Sequence, residues 1–222
     1  MDRIEWLREK RRSVEERYDR LWAPIYDENW GATIASTHQV FIQRFLDACP
    51  AGGLILDAAC GTGKYWPLIL TSGRKVFGID QSQGMLERAH TKHPEVTVVK
   101  MGLQEMHFEE IFDDVICMDA MEFVFPEDWP LVMDNLHQDI KAGGFCYFTV
   151  ELAAEQDIER DFQAGLEMGL PVVYGESVVG AGYHYFPSME QVREWVSQAG
   201  FKPVEEMTGD EYQHLLVMKQ GR

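Results

Sequence analysis

Hydrophobic positions change their period along the chain. From Ile4 to Leu21 the apolar residues Ile4, Leu7, Val14, Tyr18 and Leu21 form a thin helical stripe, and residues 2–20 are predicted as a helix rich in Glu and Arg. Pro24 ends that pattern, while Tyr18, Trp22, Tyr26 and Trp30 recur at every fourth position across it. A second helix is predicted from about Ser36 to Ala48, with Ser36 or Thr37 as its cap. The stretch Cys49-Pro50-Ala51-Gly52-Gly53 then breaks the chain.

After that break the apolar runs shorten to strand length. Leu54–Asp57, Val76–Asp80, Val96–Lys100, Asp114–Met118 and Phe145–Val150 read as strands. Helices are predicted at Lys64–Ser72, Gln83–His90 and Trp129–Ile140. Short apolar strands alternating with helices imply a parallel sheet covered on both faces. Beyond Val150 the alternation stops. Asp157–Met168 reads as a helix, and the glycine- and aromatic-rich stretch from Val172 to Pro187 fits a loop or short strands. Ser188 and Gln191 form a capping box for a helix at Met189–Ala199, which Gly200 closes. Phe201–Glu206 and Tyr212–Met218 read as the last strands.

Charge narrows the partners. The chain carries 20 basic and 37 acidic residues, a net charge of −17. Its main basic run (Arg8, Lys10, Arg11 and Arg12) is interleaved with Glu5, Glu9, Glu15 and Glu16, which reads as a solvated helix face rather than a nucleic-acid or membrane footprint. The four cysteines Cys49, Cys60, Cys117 and Cys146 form no C-x-x-C pair, and no metal-ligand spacing is visible. No uncharged apolar run approaches about 18 residues. A cytoplasmic, reduced protein is expected, with no membrane and no nucleic acid among its partners.

The candidate chemistry lies in the loop after the first strand, Asp57-Ala58-Ala59-Cys60-Gly61-Thr62-Gly63. In a doubly wound sheet such a loop sits where ligands bind, and its small residues let the backbone approach them. A dinucleotide loop would need a third glycine where Trp66 stands, and a phosphate-cradling P-loop would need Ser or Thr where Tyr65 stands. Asp80 ends the second strand, where a carboxylate is placed to accept both hydroxyls of a ribose. A nucleoside without a required pyrophosphate fits this pattern.

Residues 54–150 resemble the core of the class I S-adenosylmethionine-dependent methyltransferases. The likeness rests on Leu54–Gly63, on Val76–Asp80 with Ser82-Gln83-Gly84-Met85-Leu86, on Asp114–Met118 and on Leu136–Gly144, and residues 188–218 resemble the family's closing helix and strand pair. The resemblance implies a doubly wound, Rossmann-like three-layer sandwich whose sheet has seven mostly parallel strands, the last antiparallel. It implies one domain: a helical cap at 1–50, a cofactor-binding core at 51–150, a substrate-face insertion at 151–187 and a closing unit at 188–222. It also implies S-adenosylmethionine as cofactor, with Asp57, Ala58, Gly61 and Gly63 near its methionine end. Asp80 would hold the ribose, Gln81 and Met85 would flank the adenine, and Leu103 and Gln104 would border it. Met118, with Asp119 beside it, would contact the amino-acid part. Relatives often carry Asp where this chain has Leu103, which leaves Gln104 or a backbone carbonyl for the adenine amino group.

Two regions carry the remaining candidates. Tyr18, Trp22 and Tyr26 form either a lid over the sulfonium, with cation–π attraction available, or plain core packing. Glu151 lies just beyond the fifth strand, and His184 in Tyr183-His184-Tyr185-Phe186 is the candidate acceptor orienter or general base, unless it merely caps a loop. The function expected is methyl transfer to a small molecule by a monomer or homodimer. Methylation of protein or RNA, and S-adenosylmethionine binding without transfer, are the alternatives.

Overall fold

The structure, a computed structural model, describes residues 2–31, 33–178 and 182–221. Helix α1 (Arg3–Arg17) starts where the Asp2 carboxylate accepts the Glu5 N–H at 2.9 Å. It runs directly into a π-helical turn at Tyr18–Trp22, and a second such turn follows at Asp27–Gly31. Helix α2 (Ser36–Ala48) comes next. Its cap differs from the sequence expectation. Ala35 occupies the cap position with no side-chain bond, and the Asp210 carboxylate accepts the Thr37 N–H at 2.6 Å from the far end of the chain.

The alternating region follows as β1 (Leu54–Ala58), α3 (Trp66–Thr71), β2 (Lys75–Asp80), α4 (Gln83–Lys92) and β3 (Thr97–Lys100). It continues through β4 (Asp114–Cys117), α5 (Trp129–Asp139) and β5 (Phe145–Glu151). Short 3-10 turns at Leu103–Glu105 and Met121–Phe123 flank β4. Helix α6 (Glu155–Glu167) precedes a two-stranded ribbon, β6 (Glu176–Ser177) against β7 (His184–Tyr185), formed within the stretch whose sequence fitted loop or strand. The chain closes with α7 (Met189–Gln198), β8 (Phe201–Gly209) and β9 (Tyr212–Lys219).

The seven-stranded sheet has the order β3-β2-β1-β4-β5-β9-β8. Strands β1 to β5 pair in parallel, and β9 lies antiparallel between β5 and β8. Alternation along the strands divides the core between two faces. Ile55, Tyr147 and Leu216 pack with Phe41, Phe45, Trp66 and Leu86 on the α2, α3 and α4 side. Their neighbours Leu56, Phe148 and Val217 pack with Trp129, Met133, Leu136 and Val196 on the α5 and α7 side. This is the three-layer, Rossmann-like arrangement expected, and its strand order reverses between β1 and β4, where a ligand crevice forms.

Candidate active site

The loop leaving β1 turns sharply into the crevice. Ala59 takes a φ of +65°, followed by positive φ at Gly61 and Gly63. A Cβ on Gly61 would meet nothing within 4 Å, so the backbone there faces open space. Gly63 is different, since a Cβ there would lie 2.6 Å from the Trp66 ring. Trp66, which stands where a dinucleotide loop would have its third glycine, has its own place in this loop. Its fully buried ring fits beneath Gly63 and Gly78, and its Nε1–H donates to the Asp57 carboxylate at 2.7 Å.

Asp80, at the end of β2, organises the same loop. One carboxylate oxygen accepts the Gly61 N–H and the other accepts the Ser82 N–H, each at 2.8 Å. An ionised carboxylate has about four lone-pair sites, so about two remain for a ligand's hydroxyls. Burial pushes the Asp80 carboxyl up to about 6 and that of Asp57 up to about 7.

An inner cleft opens from this loop. Ten of the residues expected to hold a cofactor line it: Asp57, Gly61, Asp80, Gln81, Met85, Leu103, Gln104, Met118, Tyr18 and Tyr26. Three do not. Ala58 points into the buried core because strand alternation takes it away from the cleft. Gly63 is backed by Trp66 instead of open space. Trp22 packs edge-on against Trp30, with ring centroids 5.1 Å apart, and faces a second chamber.

That outer chamber, about 420 Å³, adjoins the inner cleft through Tyr18, Tyr26, Lys64, Tyr65, Asp119 and Phe123. His184 and Glu151 both line it and bond to each other, Nδ1 to carboxylate, at 2.6 Å. The pairing comes from the ribbon, which sets β7 beside the end of β5. Because an ionised carboxylate only accepts, His184 Nδ1 carries the proton and Nε2 of the neutral ring keeps a lone pair.

Sequence reasoning named Asp119 for the amino-acid part of the cofactor but missed the buried polar cluster it joins between the chambers. Asp119, at a φ of +53°, accepts from His38 Nε2 at 2.8 Å and from the Tyr65 hydroxyl at 2.5 Å. Burial alone would raise its carboxyl, but the bonds from His38 and Tyr65, with the Lys64 charge nearby, hold it below the usual range. Glu122 is 4% exposed, and one of its carboxyl oxygens has no hydrogen-bond partner among the described residues. Burial, reinforced by Glu151 and Asp119, pushes that carboxyl well above the usual range.

The N-terminal segment is tied to this region by charge. The Asp19 carboxylate accepts from Ser82 Oγ at 2.6 Å and from the Gly84 N–H at 2.9 Å, at the start of α4. Asp27 takes Lys92 at 2.7 Å and Thr62 at 2.6 Å. The Arg3 guanidinium grips the buried Glu176 with two bonds of 2.9 Å, and Glu127 beside it.

Residues 55–144 match the model of a family described as a methyltransferase domain. The human methyltransferase-like protein 27 is 31% identical over 169 residues, covering 69% of this chain and 67% of that protein. The chain belongs to the class I S-adenosylmethionine-dependent methyltransferases. An Arabidopsis thaliana tRNA (carboxymethyluridine(34)-5-O)-methyltransferase is 31% identical over 117 residues, covering 52% of this chain; the match spans only 28% of that protein's length. Among solved structures, the magnesium protoporphyrin IX methyltransferase of Synechocystis, with bound S-adenosylmethionine, aligns at a TM-score of 0.68 and 16% identity. That alignment covers 95% of this chain and 97% of the other, and it shows a shared fold. As a member of the family, this methyltransferase uses S-adenosylmethionine as methyl donor. The cleft's chemistry fits that molecule: an acidic residue with free acceptor sites at the β2 end, an open glycine backbone beside it, and apolar walls from Met85, Leu103 and Met118. Among the described residues there is no cluster suited to a metal ion, and no helix is long and apolar enough to cross a membrane.

Proposed function

We infer that this methyltransferase acts on a small molecule held in the outer chamber, by in-line displacement at the methyl carbon. The observation that carries this is the pair of joined chambers, one bordered by the glycine loop and Asp80, the other walled by aromatic rings and the His184–Glu151 pair. The outer volume lies within the roughly 300–1,000 Å³ range of small-molecule pockets.

S-adenosylmethionine supplies an electrophilic methyl group, so the chain's contribution is positioning and exclusion of water. Asp80 accepts the ribose hydroxyls. Gln81, Met85, Leu103 and Gln104 surround the adenine, and Asp57, Gly61 and Met118 border the methionine end. Tyr18 and Tyr26, delivered by residues 1–50, form the lid, and residues 151–187 build the outer wall of the same domain. His184, held by Glu151, orients the acceptor and takes its proton where one must leave. A reduced cytoplasmic setting suits the four free cysteines.

The name of the Arabidopsis relative raises tRNA as the competing acceptor. A net charge of −17 opposes it, because binding a polyanion requires basic groups that displace its counterions. The test is transfer of labelled methyl from S-adenosylmethionine into a small-molecule extract and, separately, into total tRNA. Label in the small-molecule fraction supports the assignment, and label confined to tRNA overturns it. Label in neither, from protein that binds the demethylated product S-adenosylhomocysteine, favours binding without transfer.

A further inference from the structure

Four carboxylates face the outer chamber: Asp119, Glu122, Glu151 and Asp210. Three already have partners. Asp119 holds His38 and Tyr65, Glu151 holds His184, and Asp210 takes the Thr37 N–H and faces His38 at 4.0 Å. The two permanent cations facing the chamber lie over aromatic rings, and Arg17 Nε, like Glu122, has no hydrogen-bond partner among the described residues. The Arg17 guanidinium lies over the Trp22 ring at 5.6 Å and the Lys64 ammonium over the Tyr65 ring at 5.3 Å. Of the four carboxylates Glu122 is left over, buried at the wall with an oxygen that no group among the described residues satisfies. An unsatisfied buried carboxyl oxygen is costly, and a cationic ligand that fills it recovers that cost and lets the group ionise. Its neighbours Glu151 and Asp119 are both acidic, so a cation relieves the burial and the repulsion together. Tyr18, Trp22, Tyr26, Phe123 and Tyr212 line the same chamber, and aromatic rings attract cations.

Building on the small-molecule assignment, we propose that the acceptor is an amine, bound as its ammonium ion by Glu122 and the chamber's aromatic rings, and methylated on nitrogen. The ammonium gives one proton to His184 Nε2. The freed lone pair forms the nitrogen–carbon bond to the donor's methyl as the carbon–sulfur bond breaks, and that bond's electrons stay on sulfur. Positive charge thus passes from sulfur to nitrogen, toward Glu122, which stabilises it as it develops. The product leaves as a methylammonium ion with neutral S-adenosylhomocysteine.

Calorimetry on the whole chain tests this with three probes that share one body and differ in head group: phenethylamine, phenethyl alcohol and phenylacetate. S-adenosylhomocysteine is titrated first. Failure to bind it would sink the small-molecule methyltransferase assignment itself, before any amine is added. With it bound, phenethylamine is expected to bind at least about ten-fold tighter than the alcohol or the acid. In Glu122→Gln, which keeps size and shape, that preference disappears while S-adenosylhomocysteine still binds, since Glu122 does not line the inner cleft. Equal or tighter binding of the alcohol or the acid overturns the amine assignment alone, as does a preference that survives in E122Q. Absence of phenethylamine binding at about 5 mM overturns it too. The wild-type comparison stands even where the variant fails to fold.

Discussion

Replacing Asp80 with Asn separates a ribose-binding carboxylate from a mere turn former, because the two roles predict opposite pairs of results. In the wild type both carboxylate oxygens accept backbone N–H groups, from Gly61 and from Ser82. An amide has one oxygen, so D80N sets its NH2 against one of those donors and leaves that N–H unsatisfied, at about 1–3 kcal/mol. Against this stands the burial that raises the carboxyl from an ordinary 3.8 to about 6. That shift corresponds to about 3 kcal/mol disfavouring the charged form at neutral pH, and D80N removes it. The two effects nearly cancel, so the ligand-free melting temperature should move by less than about 3 °C. Binding has no such compensation. Two ribose hydroxyls lose charge-assisted bonds, and the amide offers one of them a donor where an acceptor is needed. The loss is about 3 kcal/mol, or about 100-fold in affinity for S-adenosylhomocysteine. Thermal melts and calorimetry on both proteins read the two quantities. A large drop in melting temperature with affinity within about three-fold of wild type would show that Asp80 shapes the loop and does not hold the ligand.

Arg3→Ala strips the buried Glu176 of its cation while Val173 N–H and the Tyr183 hydroxyl remain. The cost of about 3 kcal/mol, spread over 222 residues, lowers the melting temperature by about 6 °C; adding Glu176→Gln should restore most of it, and an unshifted melt in R3A would refute the clamp. Gly63→Ala drives a Cβ into Trp66 at a φ of +74°, for a similar total of about 3 kcal/mol, and a melt unchanged from wild type would show that the ring can yield. Stability should also fall with rising pH over the range where the raised carboxyls of Asp57 and Asp80 ionise. A raised carboxyl holds its proton more tightly when folded, so its contribution is complete below 3.8 and is lost as pH climbs through about 6 to 7. Asp27, Asp113 and Asp119 are shifted the other way, and their contribution is complete by about pH 5. Glu122, Asp114 and Asp139, also raised by burial, act in the same direction, while His137 and His214, lowered from 6.5 by burial, gain stability as pH rises through that window. With the buried carboxyls dominant, the ligand-free protein melts higher at about pH 5.5 than at about pH 7.5, and the reverse order would refute that dominance.

The parts of the site that lie close together in sequence were legible before the structure. A strand, a glycine loop and an acidic strand end occupy residues 54–80, and local spacing alone sets their geometry. The ribbon that pairs His184 with Glu151 was visible only as two candidates, since nothing in the intervening stretch fixes its turn. His38, Tyr65, Asp119 and Glu122 could not be joined from sequence. They come from α2, the glycine loop and the β4 end, and their meeting depends on how β9 inserts beside β5. Trp66 was legible as a departure from the dinucleotide pattern, but its place beneath the loop was not. Its nearest partners, Gly63 and Gly78, are defined by the space they lack, and a sequence shows a glycine without showing what lies beneath it. The cap of α2 was missed for the same reason, because Asp210 lies 173 positions away from Thr37.

The placement of Tyr18–Trp22 against α4 and the turn after β4 also has a consequence during synthesis. The segment precedes the surfaces it packs on: Gln83, at the start of α4, follows Trp22 by 61 positions, and Phe123 follows Tyr18 by 105. At about 5–20 residues per second, the Tyr18 ring waits about 5–20 s for Phe123. Its aromatic neighbours share part of that interval without their partners. The charges set among them (Arg17, Asp19, Arg20, Asp27 and Glu28) are of the kind that disfavour aggregation of such a stretch. Several of the same charges later fasten the segment to the finished fold: Asp19 on the start of α4, Asp27 on Lys92.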